Sequence, residues 1–224
     1  MIVEMWSDII CPSCYIVKRR FEAGLQAFAH RDQITIVYRS FQLEPTLPVH
    51  PNKHLFKIDA ARQSTFVEMM ARRSRAVAET EKLEGLLFNY DNVKHTNTLD
   101  AHRLVHFAKN FGKEGVLLDL LFKAYFTDGL HIGEHETLVS IAEQAGLERQ
   151  KTLEMLLDTK RYRNAVRLEQ HVAERLGARA VPFFLINDCH ALSGAHPVAT
   201  FIQALETSWE EEEIASQDDE SYIQ

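Results

Sequence analysis

The sequence predicts a mixed α/β domain interrupted by a block of helices. Three observations carry that reading. Ile2 to Tyr38 runs strand, cysteine-bearing turn, helix, strand. The stretch from about Ile58 to about Leu157 holds no convincing strand, and strand texture returns only at Val181–Ile186. With 224 residues, 46% of them hydrophobic, the chain is long enough to bury a sizeable core in one domain carrying an insertion.

Ile2–Trp6 is short, apolar and led by β-branched residues, as a buried strand should be. Asp8 to Cys14 breaks it. Pro12 suits the first turn of a helix, where its missing N–H has no partner to lose. Val17, Phe21, Leu25 and Phe28 follow at helical spacing, and Ile34–Tyr38 reads as the second strand of a βαβ unit. Pro45, Pro48 and Pro51 mark an irregular connection.

Arg62 to Leu83 reads as a long charged helix. Leu104, Phe107, Ala108 and Phe111 form an apolar helical stripe closed by Gly112. Val116–Phe126, Leu138–Ala145 and Leu153–Leu157 read as further helices, with Gly146 stopping the second of these three. Leu168, Val172 and Leu176 give another stripe, ended by Gly177. Asn187-Asp188 turns the chain after Val181–Ile186, Cys189–Ser193 runs back as a partner strand, and Pro197 opens a last helix through about Trp209.

The charge is unevenly placed. Glu210 to Gln224 holds seven of the 32 acidic residues and no Lys or Arg; without those seven the acids fall to 25, level with 25 bases. A balanced body has no electrostatic footprint for nucleic acid. Residues 210–224 are expected as a frayed, solvated, disordered tail. No apolar run reaches the length a membrane span needs, so no membrane partner is expected. Met1 to Asp8 lacks the features of a signal peptide, so a cytoplasmic protein is expected if Met1 is the native start.

Three cysteines in a cytosolic chain argue against a structural disulfide framework. Cys11-Pro12-Ser13-Cys14 follows a strand and opens a helix, which is a redox signal. Two cysteines so spaced can close a disulfide with little movement. Cys11 sits at the helix N-terminus, where free N–H groups and the dipole favour a thiolate. Cys11 then attacks a substrate disulfide, and Cys14, deeper in the helix, resolves the mixed disulfide. A zinc site would need a second matched ligand pair. Cys189 and His190 are the candidates, and adjacent residues rarely both ligate one ion. His102 with His106, and His131 with His135, stand four apart, but no metalloprotease-type carboxylate pattern accompanies them. No metal site is expected.

With the Cys11–Cys14 motif and Val181-Pro182, the chain resembles the DsbA-like branch of the thioredoxin superfamily. Phe41-Gln42-Leu43, Asn97-Thr98-Leu99-Asp100-Ala101-His102-Arg103-Leu104, Phe126-Thr127-Asp128-Gly129-Leu130-His131-Ile132-Gly133, Val181-Pro182-Phe183-Phe184 and Ser193-Gly194-Ala195 are similar to its FrnE-type subgroup. The resemblance covers all but the acidic tail. It implies a thioredoxin fold, residues 1–50 and 160–209, with an inserted α-helical domain, residues 51–159. It also implies that Pro182 is cis and lies against the cysteine pair. Val181 would then offer its backbone to an extended substrate, with Pro12 and Ser13 beside it. His102 falls in a matched segment, where it would line the cleft over Cys11; a purely structural histidine is the other reading.

The expected activity is thiol–disulfide exchange on protein or small-thiol substrates, with no bound cofactor and with glutathione as a candidate redox partner. A glutathione-dependent transferase or isomerase of the kappa or hydroxychromene-carboxylate isomerase type is the alternative, against which the presence of both cysteines weighs. A non-enzymatic, chaperone-like client binder is a third. The Pro-Ser dipeptide leaves the direction of electron flow open, and Cys189 is either an inert spare thiol or a site for glutathionylation.

Overall fold

The computed structural model describes residues 1–51 and 85–221. Strands β1 (Ile2–Ser7), β2 (Thr35–Ser40), β3 (Phe183–Ile186) and β4 (His190–Ser193) form one sheet in the order β2-β1-β3-β4. β1 pairs parallel with β2, from Ile2 opposite Thr35 to Ser7 opposite Ser40. β3 runs antiparallel to both β1 and β4. Helix α1 (Pro12–Ala27) makes the crossover between the parallel strands. Between β2 and β3 lie α2 (Leu99–Lys109), α3 (Glu114–Phe126), α4 (His135–Gln144), α5 (Arg149–Leu157) and α6 (Arg163–Arg175); α7 (Val198–Ser221) closes the chain. This is the thioredoxin-type α/β fold with a helical insertion, and residues 85–157 contain no strand. The expected helix from Arg62 to Leu83 lies outside the described residues.

The side chains of β1 alternate between two faces, as the pleat requires. Val3 and Met5 are fully buried on the side where Phe184, Phe21 and Phe201 meet. Those rings contact at 5.3 Å, 5.7 Å and 4.9 Å and join β3 to α1 and α7. Each such buried aromatic contributes roughly 1.5–3 kcal/mol through burial. Gly24 lets α1 and α7 pack closely: a Cβ there would stand 3.1 Å from Cβ of Phe201. On the opposite face Trp6 packs on Phe183 and donates its indole N–H to the Glu169 carbonyl of α6 at 2.9 Å.

Two expectations are corrected. Leu168, Val172 and Leu176 do not form the buried stripe of α6; they are 62%, 39% and 45% exposed. The inward face carries Val166, Ala173 and Glu169, and the small residues let the helix lie close to β2 and α2. The last helix does not end at Trp209 but runs to Ser221. The first residues of the acidic stretch find partners on the β3–β4 turn. Glu211 accepts from His190 at 2.6 Å and Glu212 from Asn187 at 2.9 Å, and the Met1 ammonium lies 3.7 Å from Glu212. The turn itself is tight: Asn187 and Asp188 both have positive φ, which Asn and Asp tolerate better than most residues. Gly112 closes the α2 end in the left-handed region, with Lys113 N–H bonded to Ala108 C=O at 3.1 Å.

The Glu169 carboxylate holds α6, β2 and α2 together. It accepts from the Ser40 N–H at 2.7 Å and meets His106 at 3.0 Å, Lys109 at 3.0 Å and Arg39 at 3.2 Å. Burial opposes its charge, but His106, Lys109 and the Ser40 N–H hold its carboxyl well below the usual carboxylate range. A carboxyl depressed in the folded state stabilises above its unfolded pKa, about 4.5, and that gain is lost as pH falls toward the folded-state value. Glu169→Gln is therefore expected to cost about 3 kcal/mol at pH 7, and the gap to the native chain narrows by about pH 3. Denaturant titrations of both proteins at the two pH values check this. Coincident midpoints at pH 7 would remove Glu169 from this role.

Candidate active site

Cys11 is the N-cap of α1, with extended backbone, and Pro12 is the first helical residue. Cys11 C=O accepts from the Cys14 N–H at 3.0 Å, which brings the two cysteines together on the first turn. Neither is in a disulfide. Cys11 is 5% exposed and Cys14 is fully buried. The Cys11 thiol points at the Val181 carbonyl, 3.5 Å away, and the Val181–Pro182 bond is cis. Pro182 is itself held in place by the Gly194 N–H, which donates to its carbonyl at 2.9 Å. Pro12 is buried and Ser13 half-buried beside the pair.

The two thiols are in unequal surroundings. Burial pushes the Cys14 thiol well up; the hydrogen bond to Cys11 and the Cys11 charge push the same way. The Asp8 carboxylate adds to this, while the Asp8 backbone pulls down.

Asp8 is the residue that sequence reasoning passed over. It is fully buried, three positions before Cys11. Its carboxylate accepts from the Leu43 N–H at 2.7 Å and lies 3.3 Å from Nε2 of His102. Its backbone carbonyl accepts from the Cys11 N–H at 3.1 Å. An Asp inside an otherwise apolar strand-to-helix turn was the available signal, since a buried acid needs dedicated partners. His102 is thus brought to Asp8 rather than to Cys11. Tyr15, next to Cys14, stacks on Phe122 of α3 at 5.0 Å, which anchors the helical block on the cysteine-bearing turn.

A family model described as the DSBA-like thioredoxin domain matches residues 2–206. The chain belongs to that family. Its members are thiol oxidoreductases of the DsbA type. The chain is 37% identical to the Streptomyces coelicolor protein SCO1869, described as a probable DsbA oxidoreductase. That likeness covers 94% of this chain and 91% of the other, with a TM-score of 0.84. It is 29% identical over 192 residues to the uncharacterized protein YwbO of Bacillus subtilis (strain 168), covering 83% of this chain and 86% of the other. The cytosolic disulfide reductase DsbM of Pseudomonas aeruginosa, solved with GSH, shares the fold at 16% identity and a TM-score of 0.66, covering 94% and 100% of the two chains.

Several residues of the DsbA-like motifs serve the fold around the site. Gln42 donates to Asn97 and to Thr98, both at 3.3 Å, and Asn97 donates to the carbonyls of Pro45 and Leu47. Arg103 is buried and donates to the carbonyls of Met155, Leu156, Asp158 and Arg161, with Asp100 as its counter-ion at 2.6 Å. A cavity of about 540 Å³ opens between the connection after β2 and α6, with Gln42, Asp100, Arg163 and Arg167 beside Leu47, Val49 and Leu99 in its walls; neither cysteine lines it.

The remaining candidates separate. His106 serves Glu169, His135 bonds Asp100 at 3.0 Å, and His131 precedes α4, so neither histidine pair shares a ligand. Cys189 is exposed on the β3–β4 turn. Among the described residues no helix is long and apolar enough to cross a membrane.

The inequality of the thiols is measurable. Iodoacetamide on the native protein is expected to modify Cys189 and to leave Cys14 unreacted even near pH 9, as read by peptide mass. Alkylation of Cys14 at the rate of Cys189 would contradict the burial and raised thiol described above.

Proposed function

We propose that the chain is a cytosolic thiol–disulfide oxidoreductase in which Cys11 attacks and Cys14 resolves. The observation that carries the reading is the placement of Cys11 at the positive end of α1, against the Val181 carbonyl and beside a deeply buried second thiol. The Cys11 thiolate attacks one sulfur of a substrate disulfide. A Cys11–substrate disulfide forms and the other substrate sulfur leaves as a thiolate. Cys14 then loses its proton and attacks the Cys11 sulfur, and the second substrate thiolate leaves. Two electrons pass to the substrate and Cys11–Cys14 is left oxidised; the reverse sequence oxidises a dithiol. The backbone at Val181, beside Pro182, is where an extended substrate chain pairs.

Asp8 is the proton acceptor for Cys14, directly or through one water, and His102 and the Leu43 N–H hold its carboxylate in place. The order of steps follows from charge. While Cys11 is a free thiolate, it opposes ionisation of Cys14. Once Cys11 is tied up in the mixed disulfide that opposition is gone, and Cys14 ionises when it is needed. A cytosolic setting and glutathione as the small-thiol partner are supported by the shared fold with the cytosolic reductase solved with GSH.

The test is the redox equilibrium of the two cysteines across glutathione buffers, with thiols trapped by alkylation and read by mass. A reversible Cys11–Cys14 disulfide is expected. A glutathione adduct on Cys11 with no closure would overturn the resolving role and favour the transferase chemistry. In turnover assays Cys11→Ser is expected to abolish exchange, and Cys14→Ser to trap the mixed disulfide.

Asp8→Asn is expected to slow closure roughly 100-fold while leaving the first attack unchanged. His102→Gln, which keeps the carboxylate, slows closure less. Rapid-quench mass analysis separates the two steps, and unchanged closure in Asp8→Asn would end the proton-acceptor assignment.

A further inference from the structure

The helical block carries a cluster that the exchange chemistry does not use. His50 lies in the connection after β2, and His131 and Glu134 lie in the turn between α3 and α4. One ligand atom from each lies within 4.8 Å of the others. We propose that these three residues form a binding site for a divalent transition-metal ion of the zinc class, with a fourth position open to water.

The spacing supports this. Ligands about 2.0–2.1 Å from a tetrahedral zinc ion lie about 3.3 Å apart. Nε2 of His50 and Oε1 of Glu134 stand at 3.4 Å. The imidazoles of His50 and His131 lie side by side, tilted by 38°, with ring centroids 5.2 Å apart. Two imidazoles and one carboxylate suit zinc, cobalt, nickel or copper and disfavour magnesium and calcium, which take oxygen ligands. One carboxylate against a dication leaves a net positive site, so water or an anion completes it.

The scaffold holds two separate chain segments at this spacing. Thr96 Oγ1 donates to the Val49 carbonyl at 2.9 Å, fixing the residue before His50. Gly133 is packed so closely against Thr96 and Val49 that any side chain there would collide with them. Glu134 N–H donates to His131 C=O at 3.0 Å, which sets the two ligands on one turn. Among the described residues, the weak bond from Gly133 N–H to Nδ1 of His131, 3.3 Å long, has to yield if that nitrogen ligates. His50 is 69% exposed along its side chain, so its ring can turn onto the ion. A bound ion would clip the connection after β2 to the α3–α4 turn.

The test uses the full chain with Cys11→Ser, Cys14→Ser and Cys189→Ser, which removes competing thiolates. Zinc titration by calorimetry is expected to show one ion per chain, with no response to magnesium. His50→Ala, His131→Ala and Glu134→Ala should each weaken binding roughly tenfold or more, and His171→Ala should not. A cobalt spectrum of the unsubstituted chain gives an independent reading: visible ligand-field bands without sulfur-to-cobalt charge transfer, lost in His50→Ala. No zinc heat, or binding that survives both His50→Ala and His131→Ala, would overturn the site. Cobalt bound only with a sulfur signature would do the same. None of these outcomes depends on whether Cys11 and Cys14 exchange disulfides.

Discussion

One buried carboxylate organises the front of this molecule. Asp8 lies in the turn that delivers Cys11, and a charge there is costly unless every acceptor position is met. The partners come from three parts of the chain: the Leu43 N–H after β2, His102 on α2, and the cysteine turn itself through the Cys11 N–H on the Asp8 carbonyl. Satisfying Asp8 therefore fixes the distance between the sheet, the connection after β2 and the helical insertion. Burial raises Cys14 and Tyr125, and the charge of the same carboxylate adds to it, so the structural constraint and the resolving step proposed for Cys14 share one group.

Other buried ions repeat this device. Arg103 is spent on the carbonyls at the end of α5, which otherwise have no partners once the helix stops. Glu169 does the equivalent for the edge of β2, where the Ser40 N–H points at α6. Lys18, one turn beyond Cys14, is fully buried between Glu22 and Asp119 at 2.5 Å and 2.8 Å and ties α1 to α3. Each case joins two elements through one satisfied ion. Apolar packing alone tolerates small slides between helices; a buried ion with directional partners does not, and a redox pair needs that positional precision.

Much of the fold was legible because it rests on local signals. The βαβ unit, the stop at Gly112, the Asn187-Asp188 turn and the strand after Val181-Pro182 depend on backbone conformations that particular residues favour. The errors came where long-range partners decide. The Leu168, Val172 and Leu176 stripe has helical spacing, yet α6 turns its small residues and Glu169 inward because Ser40, His106 and Lys109 need that carboxylate. The acidic stretch reads as a frayed end, yet its first residues meet His190, Asn187 and the N-terminal ammonium, partners that only the folded sheet brings together. At the site the cysteine pair was plain from spacing. Asp8 was not, because its partners Leu43 and His102 are 35 and 94 positions away. Likewise His131 was weighed with His135 four positions on, while the geometry sets it beside His50.

The exposure of the α6 stripe also explains how α6 can sit so close to β2 and α2. A helix that buried Leu168 and Val172 against β2 would stand farther off, by the depth of those side chains, and the Trp6 indole could not reach the Glu169 carbonyl at 2.9 Å. The short approach places α2 over the cysteine turn, and α2 carries His102 to Asp8. Surface apolar area on α6 and a satisfied carboxylate in the cysteine-bearing turn are thus two consequences of one close packing. The position of the proton acceptor in the proposed mechanism depends on a helix whose inner face is small and charged rather than large and apolar.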